Sequence, residues 1–468
     1  MGAFNSLTPD RISRLKSLVG EGKVRSDDTA LEQYSHDETE NLSFPPEAVV
    51  LAESTEDVSK VLKFATQERV PVTPRGAGTG LSGGALPVRG GIVLSLGRMN
   101  RILEIDAANL MVRVEAGVVT GELQRQVEEK GLFYPVDPAS RDSCQIGGNI
   151  AEDSAGPRSC KYGPTRRYVM GLEAVLPSGE VIRTGGKNRK DVTGYNLTQL
   201  LVGSEGTLAV VTKATLRLLA LPKAVLTVAL PFHELSQAAR VVSEIFLKGF
   251  APSACEIMEK RALEAVEKIH PVPPQLAGKD ALLVVELDGD DPEKLLEEAA
   301  GICELAEGMG AGETIVAQQA SDQRRVWDVR RKVGEAVKRL SVYKEADTVV
   351  PRARLADLVL AAREVTKKHG LDAVCYGHAA DGNLHVNILK GFLDDASWMK
   401  KRDAAEEELF GRVVEMGGML SGEHGIGYAQ RRLLPVAVDA PTMALMGQIK
   451  KTFDPMGILN PGKVFPDA

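Results

Sequence analysis

The chain has 468 residues, 43% of them hydrophobic, and a net charge of -7. That length exceeds one ordinary domain and can bury large cores, so two or three domains are expected. The charge, with no basic block, argues against a nucleic-acid surface. No apolar run approaches the ~20 residues of a membrane span, and five scattered cysteines without Cys-x-x-Cys suggest neither disulfides nor a cysteine-held iron–sulfur cluster, which fits a cytoplasmic location.

Met1-Gly2 with Ser6 formally matches a myristoylation signal, a pattern short enough to recur by chance. Apolar periodicity then predicts a helix over 7–19, a strand over 48–52 and a helix over 56–67 behind the caps Ser54 and Thr55. A strand over 70–73 leads into Pro-Arg-Gly-Ala-Gly-Thr-Gly-Leu-Ser-Gly-Gly at 74–84. So many bare backbone positions expose successive N–H groups, which form a nest for an anion such as a diphosphate. Arg75 adds positive charge at its mouth. Residues 92–96 read as extended, so no helix follows and the dinucleotide-binding Gly-x-Gly-x-x-Gly comparison fails on context. A flexible glycine loop is the bland alternative. Two further clusters, Gly147-Gly148-Asn149 to Gly156 and Gly203-Ser204-Glu205-Gly206-Thr207, weaken it and point to one long phosphate-bearing cofactor.

Between those clusters a strand over 111–116 and a helix over 120–130 are expected, followed by an irregular polar passage over 143–163. A hairpin over 171–176 and 181–183 and strands over 208–212 and 214–219 complete a first region ending near Pro222. Beyond it, strand 226–230, helix 235–247, strands 254–258 and 282–287, helix 293–309 and strand 313–317 follow a split βαβ, ferredoxin-like order. Helix 355–369, strands 373–376 and 384–389 and helix 396–416 partly repeat it. An antiparallel sheet with helices on one side is expected, acting as a cap domain. A basic helix spans 322–340 between the halves, and the tail with Asn460-Pro461-Gly462-Lys463 is expected to return to the first region. The expected domains are therefore 1–222, 223–420 and 421–468.

The cap holds the second informative stretch, Gly377-His378 to Asn387. Asp381-Gly382-Asn383 is turn chemistry that folds the chain back, so that His385 lies near His378, with Asn387 on the same strand face as His385. Two histidines across a hairpin suggest a metal pair, or two hydrogen-bonded histidines. A metal needs a further ligand, for which Ser421-Gly422-Glu423-His424-Gly425 offers Glu423, leaving His424 for proton transfer. In the basic helix, Trp327 beside Arg330 suggests an arginine held still by an indole and free to grip a carboxylate.

Taken in order, these motifs resemble the flavoproteins of vanillyl-alcohol oxidase type, in the branch of FAD-linked D-lactate dehydrogenase, D-2-hydroxyglutarate dehydrogenase and the glycolate oxidase catalytic D subunit. The resemblance covers nearly the whole chain. It implies an α+β fold: a two-subdomain FAD-binding domain plus a ferredoxin-like cap domain with an antiparallel sheet. It implies that Pro74, Arg75, Gly76, Ala77, Gly78, Thr79, Gly80, Ser82, Gly83, Pro138, Ser140, Gly147, Gly148, Asn149, Ala155, Gly156, Glu205, Gly206 and Asn460 bind FAD. Thr79 stands where members with covalent flavin often carry histidine, so the FAD should be noncovalent. His378, His385 and Glu423 are implied as ligands of one divalent metal (zinc, or manganese or iron), Arg330 as the carboxylate clamp, Asn387 as a substrate contact and His424 as the base. Lys344 lies one position out of register with a lysine of the hydroxyglutarate enzymes, which favours a short D-2-hydroxy acid such as D-lactate. Glycolate or D-2-hydroxyglutarate oxidation and a non-catalytic flavin subunit are the alternatives. Electrons would leave to an electron-transfer flavoprotein, a quinone, a cytochrome or an iron–sulfur subunit.

Overall fold

The computed structural model describes residues 4–467, so Gly2 of the formal lipidation signal lies outside the described residues. Packing divides the chain into two units. The first comprises Met1–Ala155, Pro164–Leu221 and Glu423–Ala468, and the second Gly156–Gly163 and Pro222–Gly422. The 156–163 segment, expected with the first region, packs with the second unit instead. Arg158 pairs with Glu286, and Lys161 and Tyr162 both bond the Asp288 carboxylate, so its polar side chains are satisfied there.

In the first unit, Ala48–Leu51, Ile92–Ser95 and Val72–Arg75 form a parallel sheet, edged by the antiparallel Val24–Arg25. The Thr55–Glu68 helix begins where the Ser54 hydroxyl accepts the Asp57 N–H at 3.1 Å, a cap worth about 1 kcal/mol. It buries Val58, Val61, Leu62 and Ala65, the apolar stripe read from the sequence. The Val72–Arg75 strand runs further than expected, so Pro74 and Arg75 are strand residues and the glycine loop starts at Gly76. The tail pairs with this strand: Asn460 N–H donates to Val72 O at 2.7 Å and Val72 N–H to Ile458 O at 2.8 Å.

A second, antiparallel sheet orders Ile102–Asp106, Met111–Glu115, Val210–Arg217, Val169–Val175 and Val181–Gly185. The passage expected to be irregular contains a helix, Ile146–Glu152. Its glycines break any apolar periodicity, yet Gly147 must be bare, since a Cβ there would sit 2.8 Å from that of Ala116.

The second unit is built on a seven-stranded antiparallel sheet. Its order is Ile315–Ala317, Ala224–Phe232, Ala281–Gly289, Ala254–Glu259, Asp372–His378, Asn383–Leu389 and Tyr343–Val349. Helices cover both faces, not one as expected. Ala254, Met258, Leu282, Val284, Val374 and Tyr376 share one face by register, and they join a core with Val326, Trp327, Val329, Val333, Ala336 and Val337 of the basic segment. Its apolar stripe therefore docks on the sheet, and charges such as Arg325 and Arg331 stay outside, whereas Arg330 turns inward. That segment is two helices, Ala320–Arg331 and Val333–Leu340, separated at Lys332. Among the described residues no helix is long and apolar enough to cross a membrane.

Candidate active site

The glycine loop opens a cleft that lies wholly within the first unit. Pro74 to Gly80, Pro138, Ser140, Gly147, Gly148, Asn149, Ala155, Glu205, Gly206 and Asn460 line it, as do Glu423 and His424. Of the residues expected here, Ser82, Gly83 and Gly156 do not line it. Ser82 is buried behind the loop, where its carbonyl accepts the N–H groups of Tyr428 and Ala429, and Gly156 belongs to the second unit. Gln145, Glu152, Ser154 and Leu201 line the cleft without having been foreseen.

The fit of this cleft to a long phosphate-bearing cofactor is visible in its backbone. A Cβ on Gly80 or Gly148 would meet nothing within 4 Å, so bare backbone faces the opening. Gln145 Oε1 and Glu152 Oε2 are buried with no hydrogen-bond partner among the described residues, polar atoms that a cofactor edge can satisfy. Burial pushes the Glu152 carboxyl well above its ordinary value, and the nearby Glu205 adds to the effect. Thr79, on the loop, is half-buried and carries no group that bonds a flavin covalently.

Three residues of this lining also brace the cleft with their side chains. Arg75 is not at the mouth: its guanidinium donates to His36 O at 2.7 Å, lies over the Tyr34 ring at 5.3 Å, and fills the space where a Gly78 Cβ would stand. Asn460 donates to Gly84 O at 3.0 Å and Glu205 O at 2.8 Å. Glu205 accepts the N–H of Ile426 at 2.9 Å and of Gly427 at 2.6 Å. The Glu205 bonds matter most, because they pin the loop that carries His424. Gly425, with φ +78°, lets that loop pass against Glu152 and Glu205. His424 and Glu423 are 17% and 13% exposed on this wall.

A second constellation lies on the sheet of the second unit. Direct cross-strand pairing runs Glu256 to His378, Tyr376 to His385 and His385 to Asp347, with Asn387 opposite Glu345, so these residues occupy one face. The turn between the histidine strands needs Gly382, whose φ is +71° and where a Cβ would strike Val350 O. The His378 and His385 rings are 5.3 Å apart and T-shaped, with ligand atoms within 4.8 Å of each other. His378 Nδ1 is 2.7 Å from Glu256 Oε1, and His385 Nδ1 is 3.1 Å from Glu345. Burial alone would raise the Glu256 carboxyl, but His378 and Arg330 outweigh it and hold it below its ordinary value. Two imidazoles with carboxylates around them suit a borderline divalent metal.

Arg330 reaches this face from the end of Ala320–Arg331 and donates from Nε at 2.8 Å and Nη2 at 2.7 Å to Glu256 Oε2. Its guanidinium lies 4.8 Å over the Tyr376 ring, whereas Trp327 carries Arg331 at 5.7 Å. The indole thus steadies the neighbouring arginine rather than Arg330. Asn387 Oδ1 is buried without a hydrogen-bond partner among the described residues. Lys344 pairs in register with Ile388, on the opposite face, and its Nζ lies 3.7 Å from Glu406. The Tyr343–Val349 strand, with Glu345 and Asp347, was not foreseen. Its polar Lys-Glu-Ala-Asp run masks a strand whose carboxylates are buried against His385.

Residues 46–185 match an FAD binding domain, and residues 221–464 match the C-terminal domain of FAD linked oxidases. The chain is 38% identical over 435 residues to glycolate oxidase subunit GlcD of Bacillus subtilis, covering 92% of each. It is 35% identical over 468 residues to D-lactate dehydrogenase of Anaerostipes hadrus, covering 98% of each. Among solved structures, 4-ethylphenol oxidase from Gulosibacter chungangensis superimposes with a TM-score of 0.79 at 21% identity, over 100% of this chain and 99% of that one.

Proposed function

We propose that this chain, which belongs to the FAD-linked oxidases of vanillyl-alcohol oxidase type and is an FAD-dependent oxidoreductase, oxidises a short D-2-hydroxy acid, D-lactate foremost, to the 2-oxo acid. The observation that carries the reading is the buried His378–His385 pair sharing one sheet face with Arg330 and Asn387. It is a polar face in a family whose other half is a flavin cleft.

The loop 76–80 and the backbone at Gly147 and Gly148 hold the FAD without a covalent link. Bound FAD supplies the acceptor for the hydride that leaves the substrate carbon. His378, His385 and Glu423 would be the ligands of a divalent metal, which would supply positive charge to stabilise the substrate's oxygens. Asp347 Oδ2 accepts the Ser421 hydroxyl at 2.7 Å and the Gly422 N–H at 2.9 Å, so the residue before Glu423 is tied to the strand that pairs with the His385 strand. Arg330 grips the substrate carboxylate with the N–H groups that Glu256 leaves over. Asn387 offers its unpaired Oδ1 to the substrate. His424 takes the hydroxyl proton onto an imidazole nitrogen.

Lys344 faces Glu406 and offers nothing to a distal carboxylate, which argues for a short acid over D-2-hydroxyglutarate. Glycolate oxidation is the second reading, favoured by the same feature and by the name of the Bacillus subtilis relative. An electron-transfer flavoprotein, quinone, cytochrome or iron–sulfur subunit would take the electrons onward, and the five free thiols suit a cytoplasmic protein. In a dye-linked assay over a panel of hydroxy acids, kcat/KM for D-lactate should exceed that for D-2-hydroxyglutarate by at least ~10-fold, the cost of leaving a charged group unpaired. A preference for the longer acid would overturn the assignment. Acid precipitation should release all the flavin into the supernatant; colour retained on the pellet would show a covalent bond.

A further inference from the structure

We propose that Glu256 is a positioning residue that joins the metal ligand His378 to the substrate clamp Arg330 through one buried carboxylate. The inference rests on the roles proposed above for those two residues. Glu256 is fully buried, on the strand directly beside His378. Its two oxygens are divided. Oε1 lies 2.7 Å from His378 Nδ1, and Oε2 accepts from Arg330 Nε at 2.8 Å and Nη2 at 2.7 Å. A carboxylate can only accept, so a proton of His378 sits on Nδ1 and Nε2 is the nitrogen it would present to a metal. The same carboxylate fixes the guanidinium in a plane, with the Tyr376 ring 4.8 Å beneath it. Tyr376 in turn stands 5.3 Å from the His385 ring. One side chain thereby sets the orientation of a ligand and of the clamp. Both depend on the orientation of that one carboxylate.

Glutamine has the same shape but one acceptor and one donor. In a Glu256→Gln enzyme the amide oxygen goes to the two Arg330 donors, and its NH₂ faces His378 Nδ1. That selects the wrong tautomer, with the proton on Nε2. Metal affinity of the FAD-loaded, full-length enzyme, measured by competition with a chelator, should fall by ~10–100-fold. With metal restored by excess, KM for D-lactate should remain raised several-fold, because a neutral amide holds the guanidinium less firmly, while flavin content is unchanged. Glu256→Asp keeps the charge and should recover part of both losses. It also decides the matter if the glutamine variant does not fold. A purely structural role would change thermal stability and flavin retention without this joint shift. Wild-type metal affinity in the variants, or lost metal with KM at the wild-type value once metal is restored, would overturn the coupling. A His378→Ala control separates the two levels. If it keeps metal, the proposed site itself is wrong; if it loses metal while the Glu256 variants keep theirs, only the coupling fails.

Discussion

His424→Ala should lower kcat by ~10²–10⁴-fold while FAD and substrate stay bound. Proton transfer is needed only as the hydroxyl ionises, so the loss belongs to the transition state and not to ground-state binding. The residue is well placed for the task. Its loop is tied down by the Glu205 carboxylate through Ile426 and Gly427, and His424 itself lines the cleft. Stopped-flow flavin reduction at saturating D-lactate reads the effect directly. Reduction at the wild-type rate would remove His424 from the mechanism. Lys344 would not be the substitute, since it stands on the far face of its sheet against Glu406.

His385→Ala should strip the metal and reduce activity by ~10³-fold or more, the several kcal/mol that a Lewis acid contributes. FAD should remain, because the histidine belongs to the second unit and the flavin cleft to the first. The replacement leaves Glu345 and Asp347 facing a small apolar residue, so modest destabilisation is expected as well. Elemental analysis beside the flavin spectrum separates the two effects. Metal at wild-type stoichiometry in this variant would show that the histidine pair is a hydrogen-bonding pair and no ligand set.

Much of this architecture was legible because glycine and turn residues announce themselves locally. The bare loop at 76–80, the Gly382 turn and the helical stripe of Val58, Val61, Leu62 and Ala65 each follow from a few adjacent residues. What was not legible depends on partners distant in the chain. Trp327 is a near neighbour of Arg330 in sequence, but the guanidinium is held by Tyr376 and Glu256, which only the sheet brings close. Arg75, Glu205 and Asn460, which the family resemblance implies as FAD-binding residues, line the cleft and also hold backbone groups distant in the chain, which the sequence does not show. The Ile146–Glu152 helix was hidden because its glycines serve close packing against Ala116 and carry no periodicity. Charged residues in Tyr343–Val349 hid a strand, since burial of Glu345 and Asp347 makes sense only opposite His385.

The chain should oxidise a short D-2-hydroxy acid held on the histidine face, with bound FAD as the oxidant. Anaerobic mixing of the purified holoenzyme with D-lactate, and separately with L-lactate, tests it most directly. The account predicts that D-lactate bleaches the flavin absorbance within the first turnover and that L-lactate, which points its C–H bond elsewhere when the carboxylate is held, does so far more slowly. Equal bleaching by both enantiomers, or an oxidised spectrum with every hydroxy acid tried, would contradict it.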